Sequence, residues 1–256
     1  LKAELQTLPP EGGNQNIVKV SLFITCLVDQ LCPDVGVATV EVLEKAGCQV
    51  EFDERQTCCG QPAFNTGYRK EARKFAEKFI ETFENAEVIV SPSGSCTAMV
   101  KHFYELFPEN KNWRERAEKV AKKTHELSSF LVNVVQIEKI DSKLSGKITW
   151  HDACHALRDL GLKNEPRKLL QNVANAEFVE LNGADECCGF GGTFSVKYAE
   201  ISNAILEKKV ENIEKSGADF VVACDASCLM QIGGKLSRNG SKIKPKHIAE
   251  ILASQG

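Results

Sequence analysis

Cys58-Cys59-Gly60 and Cys187-Cys188-Gly189 are two copies of one tripeptide in a chain of 256 residues. Each copy has one cysteine upstream and one downstream at nearly matching distances. Cys26 precedes the first pair by 32 positions and Cys154 precedes the second by 33, while Cys96 follows Cys59 by 37 and Cys228 follows Cys188 by 40. The segments around the last cysteines also match, Gly94-Ser95-Cys96-Thr97-Ala98-Met99 against Ala226-Ser227-Cys228-Leu229-Met230. Eight of the eleven cysteines therefore form two quartets of one pattern, the mark of a duplication. Four soft thiolates converging on one pocket suit an iron–sulfur cluster or a tetrahedral zinc ion. Neighbouring side chains on an extended strand point to opposite faces, so an adjacent pair reaches one centre only where the backbone turns. Gly60 and Gly189 supply that freedom.

The other candidates carry less. Cys48 opens an apolar strand pattern and reads as core, and Cys32 has no counterpart in the second half. Cys224 precedes Cys228 by four, with Pro92 at its place in the first copy, and whether it is a fifth ligand stays open. His151 and His155 bracket Cys154. A hydrogen-bonding role beside the thiolates is expected of them rather than ligation, because four thiolates already fill the shell. Gly191 and Gly192 extend the second loop and are expected to bring backbone N–H groups to sulfur. The first loop has Gln61-Pro62-Ala63 at that point, and Pro62 removes a donor. Hydrogen bonds to cluster sulfur raise the potential, so the second site is expected to be the redox-active one. No Walker loop, dinucleotide fingerprint or Ser-His-Asp set is legible.

Bulk properties narrow the class. A net charge of −3 argues against nucleic acid as a partner, and the apolar and charged fractions of 43% and 26% are those of a globular protein. No apolar run has the length of a membrane span. The opening sixteen residues lack the basic start and apolar core of a signal peptide, and they read as a flexible segment. Cysteines at this density without an export signal point to a reducing compartment and to metal ligation over disulfides.

The elements that must position the thiols follow from apolar periodicity. In the first half strands are expected at 19–25, 48–53 and 87–91, with helices at 35–46 and 68–84. In the second half strands are expected at 147–150, 177–181 and 219–223, with helices at 165–174 and 195–215. Each half closes with a similar helix, Leu127, Phe130 and Leu131 matching Ile248, Ile251 and Leu252. The surplus in the first half is expected to be a surface excursion around 108–116. The predicted fold class is α/β, with two pseudo-repeated halves, each a small parallel sheet flanked by helices with cysteines at the carboxyl ends of the strands. The predicted division is a segment 1–16, a first cysteine-rich repeat 17–144 and a second 145–256.

Four stretches carry a family resemblance: Leu22-Phe23-Ile24-Thr25-Cys26, Ser91-Pro92-Ser93-Gly94-Ser95-Cys96, His151-Asp152-Ala153-Cys154-His155 and Cys187-Cys188-Gly189-Phe190-Gly191-Gly192-Thr193-Phe194. Through them the chain resembles the cysteine-rich CCG-domain family of iron–sulfur proteins, above all its lactate utilization protein A branch. The family also includes the cysteine-rich component of heterodisulfide reductase and the glycolate oxidase iron–sulfur subunit. The resemblance implies an iron–sulfur cluster of the 4Fe-4S type on Cys154, Cys187, Cys188 and Cys228. It implies a second cluster, or zinc, on Cys26, Cys58, Cys59 and Cys96. It further implies a cytoplasmic oxidoreductase complex, not NAD-dependent, that oxidises L-lactate to pyruvate with two companion subunits, one of them carrying ferredoxin-like clusters. Two other roles stand beside this one, disulfide reduction at the cluster and a zinc-stabilised scaffold. The heterodisulfide reductase component ends in C-x-x-C, whereas three residues separate Cys224 from Cys228, and the ferredoxin-like region of the glycolate oxidase subunit is absent here.

Overall fold

The computed structural model describes residues 17–256, so the expected flexible segment 1–16 lies outside the described residues. The described chain divides into two compact units, one of residues 17–92 and 96–137, the other of 93–95 and 138–256.

In the first unit β1 (Lys19–Leu22) leads to α1 (Cys26–Leu31) and α2 (Pro33–Lys45). Next come β2 (Gln49–Glu51), α3 (Gln61–Asn65), α4 (Arg69–Phe83) and β3 (Val88–Ser91). The chain continues through α5 (Gly94–Lys101), a 3-10 turn, α6 (Lys111–Lys122), β4 (Thr124–Glu126) and α7 (Leu127–Ser129). The strands form one parallel sheet in the order β2-β1-β3-β4. Every residue of β3 is buried, which is why it reads as an unbroken apolar run: helices cover both faces of a parallel sheet. On α4 the buried positions Ala72, Ala76, Phe79, Ile80 and Phe83 recur at helical spacing. Phe79 packs edge-on against Phe23, ring centroids 4.8 Å apart, and against Phe103 at 5.4 Å. Cys59 belongs to this same apolar cluster.

The second unit repeats the order. It runs β5 (Lys143–Trp150), α8 (Cys154–Leu160), α9 (Asn164–Gln171), β6 (Ala174–Val179) and α10 (Phe194–Lys197). It ends with α11 (Ala199–Lys215), β7 (Phe220–Ala223), α12 (Ala226–Arg238), β8 (Lys244–His247) and α13 (Ile248–Ala253). Its strands are parallel in the order β6-β5-β7-β8, the same path as in the first sheet. The two-half α/β architecture expected from the sequence is present.

The structure corrects details. Each sheet has a fourth strand that the apolar pattern does not announce, β4 and β8, set directly before the closing helices. The expected helix over 195–215 is interrupted at Tyr198, whose φ of −127° and ψ of 52° are not helical. Ala174 begins β6 instead of ending a helix, and β5 starts four residues earlier than expected. The segment 108–116 has no buried residue, as expected of a surface excursion, and it opens α6, whose following positions Ala117, Val120 and Ala121 are buried against the unit.

Candidate metal centres

Parallel strands end on one side of a sheet, and the quartets lie on the loops that leave those ends. Cys26 follows β1 as the first residue of α1, capped by Thr25, whose hydroxyl accepts from the Val28 N–H. Cys58 and Cys59 follow β2, and Cys96 follows β3. In the second unit Cys154 opens α8 after β5, Cys187 and Cys188 follow β6, and Cys228 lies in the first turn of α12 after β7.

The paired cysteines are presented by the same turn in both copies. Gly60 and Gly189 each have φ of 82°, a left-handed conformation that L side chains seldom adopt. The Gly60 N–H donates to Cys58 Sγ at 3.4 Å, and the Gly189 N–H donates to Cys187 Sγ at 3.3 Å. Sterics demand glycine as well. A Cβ on Gly60 would lie 2.8 Å from Phe75 Cβ, and one on Gly189 would run into the carbonyl oxygen of Ser202. Among the described residues the N–H groups directed at quartet sulfurs include those of the tripeptide glycines and of Leu27, His155 and Phe190, and not those of Gly191 and Gly192.

Each quartet is brought together. Cys26 and Cys58 sulfurs are 3.6 Å apart, Cys59 and Cys96 sulfurs 3.4 Å, and Cys58 hydrogen-bonds Cys59, so the first four thiols form a continuous chain of contacts. In the second unit Cys188 and Cys228 sulfurs are 3.2 Å apart, and Cys187 hydrogen-bonds both Cys154 and Cys188. No disulfide forms among the described residues. Hydrogen bonds from Cys26 and then Cys59, with the Gly60 N–H, pull Cys58 down to about 3 against its burial. Hydrogen bonds from Cys154 and Cys188, the Gly189 N–H and the nearby His151 bring Cys187 down to about 2. The partners move the other way: Cys26 and Cys154 are pushed up by those same bonds and by burial, as are Cys59 and Cys188. The hydrogen bonds thus favour the thiolate at Cys58 and Cys187 and the thiol at their neighbours, and metal binding would release protons from those neighbours.

The surroundings of the two quartets differ. At the first, the Gln56 side chain ties the end of β1 to the cysteine loop, accepting from the Ile24 N–H at 2.8 Å and donating to the Leu22 carbonyl at 3.1 Å. At the second, the buried Lys209 ammonium donates to the Gly183 and Ala184 carbonyls at 2.5 and 3.1 Å. Asp152 is held by both ends of the Arg167 guanidinium, at 2.9 and 2.8 Å, and by the Trp150 indole at 2.7 Å. Its own N–H reaches the Ala184 carbonyl. Sequence patterns do not single out Lys209 or Arg167, since a lysine 21 positions beyond Cys188 on a helix pattern carries no signal.

His151 is fully buried with neither ring nitrogen hydrogen-bonded, and burial with the Lys209 charge pushes it down to about 3. A nitrogen of His151 and the sulfurs of Cys188 and Cys228 all lie within 4.8 Å of one another. His155, by contrast, is on the surface, paired with Asp159 at 2.6 Å. Cys48 is buried, and burial raises it to about 11, as befits a core thiol. The Cys224 thiol is fully buried, 4.0 Å from the Asp225 carboxylate. Asp225 accepts from Ser93 and from the backbone and hydroxyl of Ser95. Both donor sets fit a thiophilic metal or cluster: thiols alone at the first, thiols with an unpartnered imidazole at the second.

Two sheets of one topology, each delivering a Cys-Cys-Gly turn between two flanking cysteines, define a duplicated cysteine-rich protein. The family described as "CCG: Cysteine-rich domain" matches residues 20–101 and 148–233. The chain belongs to this family and, within it, to the lactate utilization protein A family. It is 50% identical to lactate utilization protein A of Bacillus subtilis over 238 residues, covering 93% of this chain and all of that one. To the protein of that name from Halalkalibacterium halodurans it is 51% identical, covering 93% of this chain and 98% of the relative. The fold is also similar to a solved structure of a hypothetical protein from Helicobacter pylori, with a TM-score of 0.57 and 13% identity over 97% of this chain. The chain spans about half of that protein, 51%, and the likeness concerns the fold alone. Among the described residues no helix is long and apolar enough to cross a membrane.

Proposed function

We propose that this chain is an iron–sulfur electron-transfer subunit of a cytoplasmic complex that oxidises L-lactate to pyruvate without NAD. The observation that carries the reading is the gathering of two thiol quartets at equivalent strand ends, in a chain half identical to lactate utilization protein A. Cys154, Cys187, Cys188 and Cys228 would hold a 4Fe-4S cluster, and Cys26, Cys58, Cys59 and Cys96 a second cluster or zinc. A bound cluster supplies reversible one-electron storage, which no side chain here provides. The protein's own part is to present thiolates, to direct the Gly60 and Gly189 N–H groups at sulfur and to exclude water from Cys59 and Cys188. Lactate yields two electrons and two protons on becoming pyruvate, so companion subunits must hold the substrate and take the electrons onward. One of those companions would carry ferredoxin-like clusters. The duplicated segments are taken as 17–144 and 145–256.

The test is anaerobic purification followed by analysis of iron, zinc and acid-labile sulfide, with electron paramagnetic resonance before and after lactate is added in the presence of the companions. Iron with sulfide, and a signal that lactate makes appear, is the expected result. A colourless protein containing zinc and no sulfide would overturn the reading.

A further inference from the structure

Phe23 and His151 occupy the same place in the two repeats. Each lies three residues before the first cysteine of its quartet and one residue beyond its strand. Each donates its backbone N–H to the neighbouring strand at 2.8 Å, Phe23 to the Val90 carbonyl and His151 to the Val222 carbonyl. Both side chains are fully buried. In the first unit the phenyl ring belongs to the apolar cluster that contains Cys59, and the site needs nothing more of it. In the second unit an imidazole fills the place and brings two polar nitrogens, neither in hydrogen-bond geometry; the Ala184 carbonyl that the ring approaches already accepts from Lys209 and from the Asp152 N–H.

Buried polar atoms without partners are rare in folded proteins, and each calls for a reason. The fold accommodates a phenyl group at this position, so an imidazole is not required for packing. What the imidazole adds is a nitrogen donor grouped with Cys188 Sγ and Cys228 Sγ, all three within 4.8 Å of one another. Imidazole nitrogen serves iron and zinc alike. We infer that His151 is a nitrogen ligand of the metal centre at the second quartet, a fifth donor beside the four thiols in place of the hydrogen-bonding role expected from the sequence, making that centre a mixed nitrogen–sulfur site while the first is ligated by sulfur alone. The inference rests on the reading above only in requiring that the second quartet holds metal.

The experiment uses the unaltered chain, purified anaerobically with its metal and labelled with ¹⁵N-histidine. X-ray absorption at the metal edge should show a nitrogen scatterer at about 2.0–2.1 Å beside the sulfur shell near 2.3 Å. Pulsed electron paramagnetic resonance of the dithionite-reduced sample should show the hyperfine coupling of a directly bound ¹⁵N. His151→Phe, which copies the first repeat, should remove both signals, and its second-site metal should pass to a chelator at least tenfold faster. A sulfur-only shell in the unaltered chain, with metal present, overturns the inference and leaves the proposed function standing. So does a weak coupling of the size expected for a hydrogen bond to sulfur. Nitrogen signals that persist unchanged in His151→Phe overturn it as well, since the ligand is then another group. A chain that takes up no metal at all overturns the proposed function and this inference together.

Discussion

Gly189 and Ser202 meet at two points: the Ser202 hydroxyl donates to the Gly189 carbonyl at 2.7 Å, and the Ser202 carbonyl occupies the space a Cβ on Gly189 would need. The turn that presents Cys187 and Cys188 is thereby fixed against α11. Gly189→Ala is expected to lower metal content at the second site and to reduce the melting temperature. Gly47→Ala is the control, because Gly47 has φ of 79° with open space around it. Both replacements incur the left-handed penalty of about 1–2 kcal/mol, roughly 2–8 °C for a chain of this size. Only Gly189→Ala adds the collision, so its melting shift should be clearly the larger.

Cys188→Ser should strip the second centre of most of its metal, since a hydroxyl is a hard and largely protonated substitute for thiolate. Cys48→Ser alters a buried thiol outside the quartets and should leave metal content unchanged, at a modest cost in stability. Metal-to-protein ratios of the two variants, measured side by side, decide whether ligand and core have been told apart. Equal losses would show that they have not.

Lys209→Met keeps the length of the side chain but removes the donors to Gly183 and Ala184. Each carbonyl keeps a backbone donor, the Glu186 N–H at Gly183 and the Asp152 N–H at Ala184, so the loss is that of charge-assisted hydrogen bonds of about 1.5–3 kcal/mol each, partly recovered because a buried ammonium is no longer desolvated. The loop ahead of Cys187 should loosen. The expected outcome is faster loss of second-site metal to a chelator with the first site unaffected, followed by site-resolved alkylation and mass spectrometry.

With metal removed, the depressed Cys58 and Cys187 thiols should react first with iodoacetamide, ahead of Cys26 and Cys154. The sign follows from the direction of the shifts. A thiol brought down to about 3 or about 2 is already thiolate throughout the range from pH 5 to 8, so its reaction rate should be nearly flat there. An ordinary thiol near 8.5 gains about tenfold per pH unit over the same range. Peptide mapping of samples quenched early at pH 6 checks both the order and the slope.

Much of this was legible in the sequence because duplication and periodicity leave strong marks. The quartets, the alternation of strands with helices and the matching closing helices all follow from spacing and apolar pattern. The fourth strands are hidden for a physical reason. Thr124–Glu126 and Lys244–His247 are short and largely polar edge strands, and Pro245 is tolerated there because an edge strand can leave one N–H unused. Tyr198 interrupts a helical pattern that carries straight through it, since φ is not written in periodicity. His151 could be placed beside Cys154 from spacing alone. That its ring is sealed from water without a partner depends on β7, α11 and the cysteine loop closing around it, which only the tertiary structure reveals.

The parallel order of each sheet sets the time at which a quartet can exist. Its cysteines leave three successive strands, and the central strand pairs with the third, as in Val20↔Val88 and Ile148↔Phe220. Cys96 is synthesised 70 residues after Cys26, and Cys228 follows Cys154 by 74. At about 5–20 residues per second on the ribosome, the first thiol of each set waits several seconds for the last. A nascent chain therefore offers isolated thiols and pairs until Cys96, and later Cys228, has been made. Metal must reach a repeat whose first three strands have already paired, by way of the half-exposed Cys26, Cys58, Cys154 and Cys187, with Cys59 and Cys188 at the floor. The fold makes maturation of each site a delivery to a folded repeat, and a cell short of a delivery system should accumulate folded, empty protein.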